Sequence, residues 1–146
     1  MEKNVLISIR GTQKADGEAP QVIELTTDGK LSRKSGVYSV SYVESEVTGM
    51  KDVVTTFRVY PDQIVLVREG PLKSEMIFAE GRKNESLYDL GFGALLVGVQ
   101  AKKVSSDLNE EGGKLFVDYS VEVEHTLMGT NTYEIEVHSA ERPCPN

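Results

Sequence analysis

Apolar and polar residues alternate with a period of two through most of this 146-residue chain. In the segment KLFVDYSVEVEH, from Lys114 to His125, the residues Leu115, Val117 and Tyr119 share one side, while acidic and small polar residues occupy the other. Such alternation is typical of antiparallel strands that have one buried and one solvated face. No segment shows a sustained apolar stripe of helical period. The pattern therefore predicts an all-β fold.

Turn-forming residues interrupt this alternation at short intervals, as is typical of β-sandwiches and barrels. Hairpins joined by short loops favour an up-and-down barrel, because closure removes exposed strand edges. We therefore predict a closed or nearly closed antiparallel meander barrel of about 8–10 strands. One domain is expected over residues 1–140, followed by a flexible tail over 141–146. The predicted strands span residues 4–13, 21–31, 36–45, 51–60, 63–69, 74–80, 84–90, 94–106, 114–126 and 132–139.

Face parity predicts the register of one central hairpin, because cross-strand neighbours share a face. With the turn at 61–62, Phe57 faces Leu66 and Thr55 faces Arg68. Arg68 then shares the apolar face near the end of its strand.

The long strand that begins at Ala94 carries apolar residues in two phases. Val97, Val99 and Ala101 share one face, and the phase then moves to Val104. A bulge lets a barrel strand bend and shifts its side-chain phase by one residue. We expect such a bulge near residues 102–103.

In the last hairpin, parity requires Val123 to share a face with Ile135, which predicts an odd-length loop around 128–130. That register places His125 on the inner face, as a partly covered cap on the core, and His138 on the outer face. The chain has only these two histidines. Since they point to opposite sides of the hairpin, they are not expected to share a metal ion or a catalytic triad.

A glycine-rich stretch, GFGALLVG, resembles a phosphate-binding loop at first sight. Gly91, Gly93 and Gly98 do not fit the G-x-G-x-x-G spacing, and a strand pattern follows where a phosphate loop needs a helix. The segment around 105–113 is expected to form at most one helical turn. The glycines therefore predict a bend between two strands.

Charge and composition remove several classes of partner. The 23 acidic residues outnumber the 16 lysines and arginines and give a formal net charge of −7, which argues against nucleic-acid binding. No segment has the pattern of a signal peptide or the length of an apolar membrane span. The single cysteine, Cys144, allows no internal disulfide. We expect a cytoplasmic protein that contacts neither membrane nor nucleic acid.

No catalytic or metal-binding motif was found, so the sequence predicts neither an enzyme, a cofactor nor a metal site. The segment DLNEE at 107–111 lacks the spacing of a calcium loop. Glu122, Glu124, Glu134 and Glu136 are expected on the outer face of the last hairpin, with Glu122 or Glu124 opposite Glu136. Like charges facing each other destabilise a sheet, so this acidic face is one candidate contact for a protein partner.

The barrel interior is the other candidate site. A barrel of about eight strands is filled by side chains or holds one small ligand. Arg68, Tyr42, Tyr88 and Tyr119 are the candidate interior contacts. A buried arginine needs a partner, so Arg68 either closes the barrel end or binds an anionic group. We predict binding of a small, partly apolar or anionic ligand; the alternative is a structural or protein-interaction domain, which includes a homodimer, acting through the acidic face or an open edge.

The segment LVREGPLKSEMIFAEG, the tyrosine at 88 and the segment from Leu90 to Val123 resemble the YwiB-like proteins of Gram-positive bacteria. The resemblance covers nearly the whole chain and implies a calycin, or lipocalin-like, β-barrel. It implies no activity, because that family has no assigned function. Residues 89–91 depart from the Thr-Pro expected before the bend aromatic. The positions that match the family pattern are Arg68, Gly70, Phe78, Gly81, Tyr88 and Gly93.

Overall fold

Ten antiparallel strands make up the regular structure of the residues that are described. The computed structural model describes residues 2–15, 17–45, 51–71, 73–89 and 93–139, so the predicted tail at 141–146 lies outside the described residues. Within these ranges no helix is long and apolar enough to cross a membrane. The strands are β1 (Glu2–Ala15), β2 (Gln21–Lys34), β3 (Val37–Val43), β4 (Val54–Val59), β5 (Ile64–Glu69), β6 (Ser74–Phe78), β7 (Lys83–Asp89), β8 (Ala94–Asn109), β9 (Gly112–Val123) and β10 (Thr126–Ser139).

The strands form one meandering sheet in the order β6-β5-β4-β3-β2-β1-β10-β9-β8-β7. The first and last strands pair with each other, so the remaining seam lies between β6 and β7 in the middle of the chain. Side chains bridge that seam: Asn84 Nδ2 donates to the Ile77 carbonyl at 3.3 Å, and Ser86 Oγ donates to the Glu75 carbonyl at 3.4 Å. The predicted all-β, nearly closed barrel is confirmed.

Parity predicted the central register and the bulge correctly. Phe57 lies opposite Leu66 and Thr55 lies opposite Arg68. The pairing of β8 with β9 shifts between Ala101 and Lys103, within the predicted segment.

The predicted loop of the last hairpin is wrong in position and length. Glu124 and His125 form a two-residue turn with φ of 49° and 67°, and Val123 pairs with Thr126. The register then shifts between Leu127 and Gly129. The extra residue that parity requires is therefore a β-bulge in β10, and the tight turn has the positive φ values that suit a hairpin.

This turn also changes the position of His125. Its side chain is exposed, and Nδ1 lies 3.7 Å from a carboxylate oxygen of Glu85. The expectation that His125 caps the core is wrong. The chain reverses at Glu124 and His125, so His125 lies in the turn and not at an inward-facing position of a strand. His138 is exposed on the outer face, as predicted, with Nε2 3.4 Å from Glu136.

The region around the glycine-rich stretch is a strand-to-strand connection. Asp89 pairs with Ala94, so β7 and β8 are antiparallel neighbours. Residues 90–92, which include the first glycine of the predicted bend, lie outside the described residues. The helical turn allowed around 105–113 is absent: β8 remains extended to Asn109, and a two-residue turn leads into β9.

The core lies on the inward-facing residues of all strands except β7, where no buried apolar residue is described. Most of these side chains are nearly inaccessible to solvent, which gives the barrel a packed interior over much of its length. The buried cluster comprises Val5, Ile7, Ile9, Leu31, Val40, Tyr42, Phe57, Val59, Ile64, Leu66, Phe78, Val97, Val99, Ala101, Leu115, Val117, Tyr119, Ile135 and Val137.

Strands β2 and β3 separate part of the way along the barrel. β2 pairs with β1 from Gln21 onwards, but it pairs with β3 only from Lys30 to its end. Gly29 lies at the point of separation. A Cβ atom there would lie 2.3 Å from Ile7 Cδ1 and 2.4 Å from the Ser41 carbonyl oxygen. The lack of a side chain at Gly29 thus allows β1, β2 and β3 to pack closely at the point where β2 and β3 separate.

We predict that Gly29→Ala destabilises the protein by about 1–3 kcal/mol, because a methyl group must displace backbone as well as a side chain. The measurement is urea-induced unfolding followed by circular dichroism. Gly93→Ala is the matched control: no atom of the described residues lies within 4 Å of its Cβ position, so its effect should stay within about 0.5 kcal/mol. Equal stability of the two variants would contradict the role given to Gly29.

Candidate functional site

A row of polar side chains crosses the inner face of three neighbouring strands. Tyr42 on β3 pairs with Thr55 on β4, and Thr55 pairs with Arg68 on β5. The inward phase of β3 continues past its end to Glu44, whose backbone nitrogen donates to the Val53 carbonyl at 2.7 Å. Tyr42, Glu44 and Thr55 are all buried. The row therefore gathers hydroxyl, carboxylate and guanidinium groups inside the barrel.

Arg68 reaches across the interior to the opposite wall. Its Nη2 donates to the Tyr133 hydroxyl of β10 at 3.3 Å. Its Nε is buried and has no hydrogen-bond partner among the described residues. Burial opposes the charge of Arg68, but Tyr133, Tyr42 and Glu44 outweigh it and raise the arginine pKa above its usual value. Arg68 is a permanently charged group with an unused donor.

Four aromatic rings form a continuous layer next to this hydrogen bond. Tyr133 packs edge-on against Phe57 with ring centroids 5.9 Å apart, and it stacks on Tyr119 at 6.0 Å. Tyr119 packs in turn against Phe78 at 4.7 Å. These distances are typical of favourable aromatic pairs. The layer connects β4, β10, β9 and β6 and therefore ties together both halves of the barrel.

The buried tyrosines of the site are held in their neutral form. Burial raises the pKa of Tyr42, and the carboxylate of Glu44, which accepts a hydrogen bond from the Tyr42 hydroxyl, raises it further. Burial and the neighbouring Tyr133 raise the pKa of Tyr119, whose hydroxyl accepts a hydrogen bond from Asn131 Nδ2 at 3.3 Å. These phenols are thus neutral donors and acceptors at physiological pH.

Glu44 is only 4% exposed, and its carboxylate accepts a hydrogen bond from the Thr55 hydroxyl. Sequence analysis did not select it as a site residue. The signal was present, because Val40, Tyr42 and Glu44 share one parity in β3 and its extension. A glutamate at the end of a strand is ordinarily solvated, and polar partners such as Thr55 make its burial favourable.

These groups line a cavity of about 130 Å³ at one end of the barrel. One wall is apolar and the other carries the charged and hydroxyl groups. Part of the apolar wall comes from Ile23 and Leu25, on the segment of β2 that has separated from β3. The lining residues are Ile9, Gly11, Thr12, Gln13, Ile23, Leu25, Tyr42, Glu44, Arg68, Tyr119, Asn131, Thr132 and Tyr133.

Three of the four residues selected from the sequence meet at this cavity. Arg68, Tyr42 and Tyr119 line it together. Tyr88 lies in β7 opposite Leu95, and its side chain lies outside the described part of the structure. Tyr133 was not selected from the sequence as a site residue, because strand parity cannot show that it faces Arg68 across the barrel.

The described residues contain no cluster of three or more His, Cys, Asp or Glu side chains that can hold a metal ion. The pairing of β9 with β10 also differs from the one expected for the candidate acidic face. Glu136 lies opposite Lys114, with an ion pair at 3.6 Å, and Glu122 lies opposite Leu127. The predicted position of Glu122 or Glu124 opposite Glu136 is wrong, since it followed from the incorrect hairpin loop. Glu136 therefore faces a lysine and not a second carboxylate.

Comparison with known proteins agrees with this architecture. The model of a domain of unknown function (DUF1934) matches residues 7–135. Over 142 residues the chain is 29% identical to the uncharacterised β-barrel protein YwiB of Bacillus subtilis (strain 168), covering 94% of this chain and 98% of that protein. The crystal structure of YwiB superposes with a TM-score of 0.74 over 92% of each chain, at 24% identity. The YwiB-like resemblance inferred from the sequence is confirmed.

The neutral state of the buried phenols predicts the alkaline behaviour of the protein. The pKa values of Tyr42 and Tyr119 are raised in the folded state above the value of about 10 expected after unfolding. Their contribution to stability is therefore complete below pH about 10 and is lost as the pH rises through the folded-state pKa values. In a spectrophotometric titration, two of the six tyrosines should ionise only together with the loss of β-sheet circular dichroism.

The urea-unfolded protein is the control. All its tyrosines should ionise in one step at a pH of about 10, which is the ordinary pKa of tyrosine. Tyr42→Phe and Tyr119→Phe should each remove one late-ionising group. Ionisation of all tyrosines in a protein that keeps its native circular dichroism would contradict the burial of these hydroxyls.

Proposed function

We propose that this chain, which belongs to the family defined by the domain of unknown function DUF1934, binds a small carboxylate in the cavity beside Arg68. The observation that carries the proposal is the buried Nε–H of Arg68, which has no acceptor among the described residues. Leaving a buried donor unpaired costs about 1–3 kcal/mol. A ligand oxygen at this position removes that cost.

The chemistry around Arg68 favours an oxyanion. A guanidinium group offers several N–H donors in one plane, which match the two oxygens of a carboxylate. Only Nη2 is used within the described residues, in the bond to Tyr133. The hydroxyls of Tyr42 and Tyr133 lie close enough to Arg68 to affect its pKa, and they add neutral polar groups at the same place. The ligand carboxylate would then meet one full positive charge and phenolic hydroxyls.

Glu44 does not neutralise this site. Its carboxylate is occupied by hydrogen bonds from Thr55 and Tyr42. No ion pair joins it to Arg68 in the described structure, although it stabilises the arginine charge from a distance. Glu44 thus holds Tyr42 in place and leaves donors of Arg68 available. It would also disfavour a ligand with two negative charges, which favours a monocarboxylate.

The size and lining of the cavity limit the rest of the ligand. A volume of about 130 Å³ is below the range of roughly 300–1,000 Å³ that is usual for drug-sized ligands. It is close to that of an engineered cavity of about 150 Å³ that binds benzene. Ile9, Ile23 and Leu25 provide the apolar wall. A short aliphatic or aromatic tail on the carboxylate fits these dimensions.

We propose that the protein binds the carboxylate without a chemical step. The phenols of Tyr42 and Tyr119 have raised pKa values, so neither is an activated base or nucleophile at neutral pH. The donors would hold the ligand, and the rings of Tyr119 and Tyr133 would form part of the cavity wall.

Butyrate is a suitable probe, with 1-butanol as its uncharged analogue. Titration of the ¹⁵N-labelled protein should shift the Nε–H resonance of Arg68 with butyrate and much less with butanol. Arg68→Gln should weaken butyrate binding by about tenfold or more, because a hydrogen bond to a charged group contributes roughly 1.5–3 kcal/mol.

Arg58→Gln is the matched control, because Arg58 is exposed on the neighbouring strand β4 and does not line the cavity. It should leave butyrate binding unchanged, and circular dichroism should confirm that both variants fold. Equal butyrate binding by the two variants, or an absence of any shift at Arg68, would contradict the proposal.

A further inference from the structure

We infer that an extended peptide binds as an added strand along β2, with an acidic side chain directed into the cavity toward Arg68. This inference rests on the proposed function, because it uses the same cavity and the same arginine. It differs in the ligand, since the carboxylate then belongs to a polypeptide whose backbone makes a second set of contacts.

The first observation is a strand edge that has no partner among the described residues. From Gln21 to Asp28, β2 pairs with β1 on one side, and no described residue pairs with it on the other. These residues are mostly exposed, with only Leu25 and Thr27 partly buried. An unpaired edge presents backbone N–H and C=O groups that an extended chain can satisfy.

The second observation is that this edge is also a wall of the cavity. Ile23 and Leu25 point inward and line it, while Tyr42 and Glu44 line its other side, beyond the point where β3 separates. Side chains of an added strand alternate between the two faces of the sheet. Alternate residues of a peptide bound between β2 and β3 would therefore enter the cavity that Arg68 lines.

The outer face of the same edge indicates the rest of the peptide chemistry. Glu24 and Asp28 share the outward phase of β2, and both are exposed. Glu24 has one distant partner, Arg10, at 3.8 Å, and both side chains of that pair are more than half exposed. Basic residues at the outward positions of the peptide would lie beside these carboxylates. The favoured partner strand is thus acidic toward the barrel and basic toward solvent.

A second open edge in the protein lacks these features. Beyond Ala101, β8 pairs only with β9 among the described residues. That edge begins with the exposed Lys102 and Lys103, and lysines on an edge strand discourage pairing with other chains. The β2 edge from Gln21 to Asp28 contains no lysine, arginine or proline. It is therefore the edge suited to an added strand.

The probe is the acetylated and amidated peptide Lys-Val-Thr-Glu-Thr-Val-Lys, which places Val, Glu and Val on one face. Hydrogen exchange of the full-length protein should show new protection of the amides at 21–28 when the peptide is added, and none at 103–109. Replacing the peptide glutamate by glutamine should weaken binding about tenfold, and Arg68→Gln should do the same. Arg58→Gln should have no effect.

The inference would be overturned if the peptide failed to bind under conditions in which butyrate binds. It would also be overturned if the amides protected from exchange lay outside 21–28, or if peptide binding did not depend on the peptide glutamate or on Arg68. Protection of 21–28 without peptide, together with a dimer in sedimentation, would assign the edge to a second copy of the chain and would also overturn it. Failure of butyrate binding itself counts against the proposed function, so the two failures are distinguishable.

Discussion

The contact between Arg68 and Tyr133 connects strands that lie on opposite walls of the barrel. The two residues are 65 positions apart in the chain, and their side chains meet at 3.3 Å inside it. The ring of Tyr133 also packs against Phe57 and Tyr119, so the same residue anchors the aromatic layer. An arginine can remain charged in the interior only where hydrogen bonds and nearby oxygens compensate for lost solvation. The phenolic hydroxyls and the glutamate supply that compensation.

The barrel interior has two parts with different roles. On one side, apolar side chains such as Ile7, Leu31 and Val40 fill the space and are inaccessible to solvent. On the other side, the separation of β2 from β3 leaves a small cavity with polar groups on one wall. Gly29 marks the boundary, because the close approach of Ile7 and Ser41 at this position leaves no space for a side chain. Tyr42, Arg68 and Tyr133 lie between the two parts and line the cavity.

Local patterns in the sequence predicted the parts of this structure that depend on local rules. Alternation identified the strands, and parity placed Thr55 opposite Arg68 and predicted the bulge after Ala101, because side-chain facing has a fixed period of two. The last hairpin was wrong, since parity alone cannot distinguish an odd loop from a tight turn plus a bulge.

The site was only partly predictable for a related reason. Parity assigned Arg68 and Tyr119 to the interior, but it left Tyr42 ambiguous, because its strand carries apolar residues on both faces. The contact with Tyr133 depends on the curvature and closure of the whole barrel, and the burial of Glu44 depends on a threonine from the next strand. The first leaves no local signal in the sequence, and the second leaves only the parity that Glu44 shares with Val40 and Tyr42. The gap between β2 and β3 was also hidden, because the residue at which two neighbouring strands stop pairing is not set by the pattern of either strand alone.

The central claim is that Arg68 and Tyr133 stabilise the barrel together, and a double-mutant cycle tests it most directly. Arg68→Met and Tyr133→Phe each keep much of the side-chain volume and remove the hydrogen bond from one side. Unfolding in urea of the wild type, both single variants and the double variant gives the coupling free energy. We predict a favourable coupling of about 1–3 kcal/mol, as expected for a buried hydrogen bond to a charged group. A coupling that does not exceed the error of about 0.3–0.5 kcal/mol seen for independent sites would contradict the account.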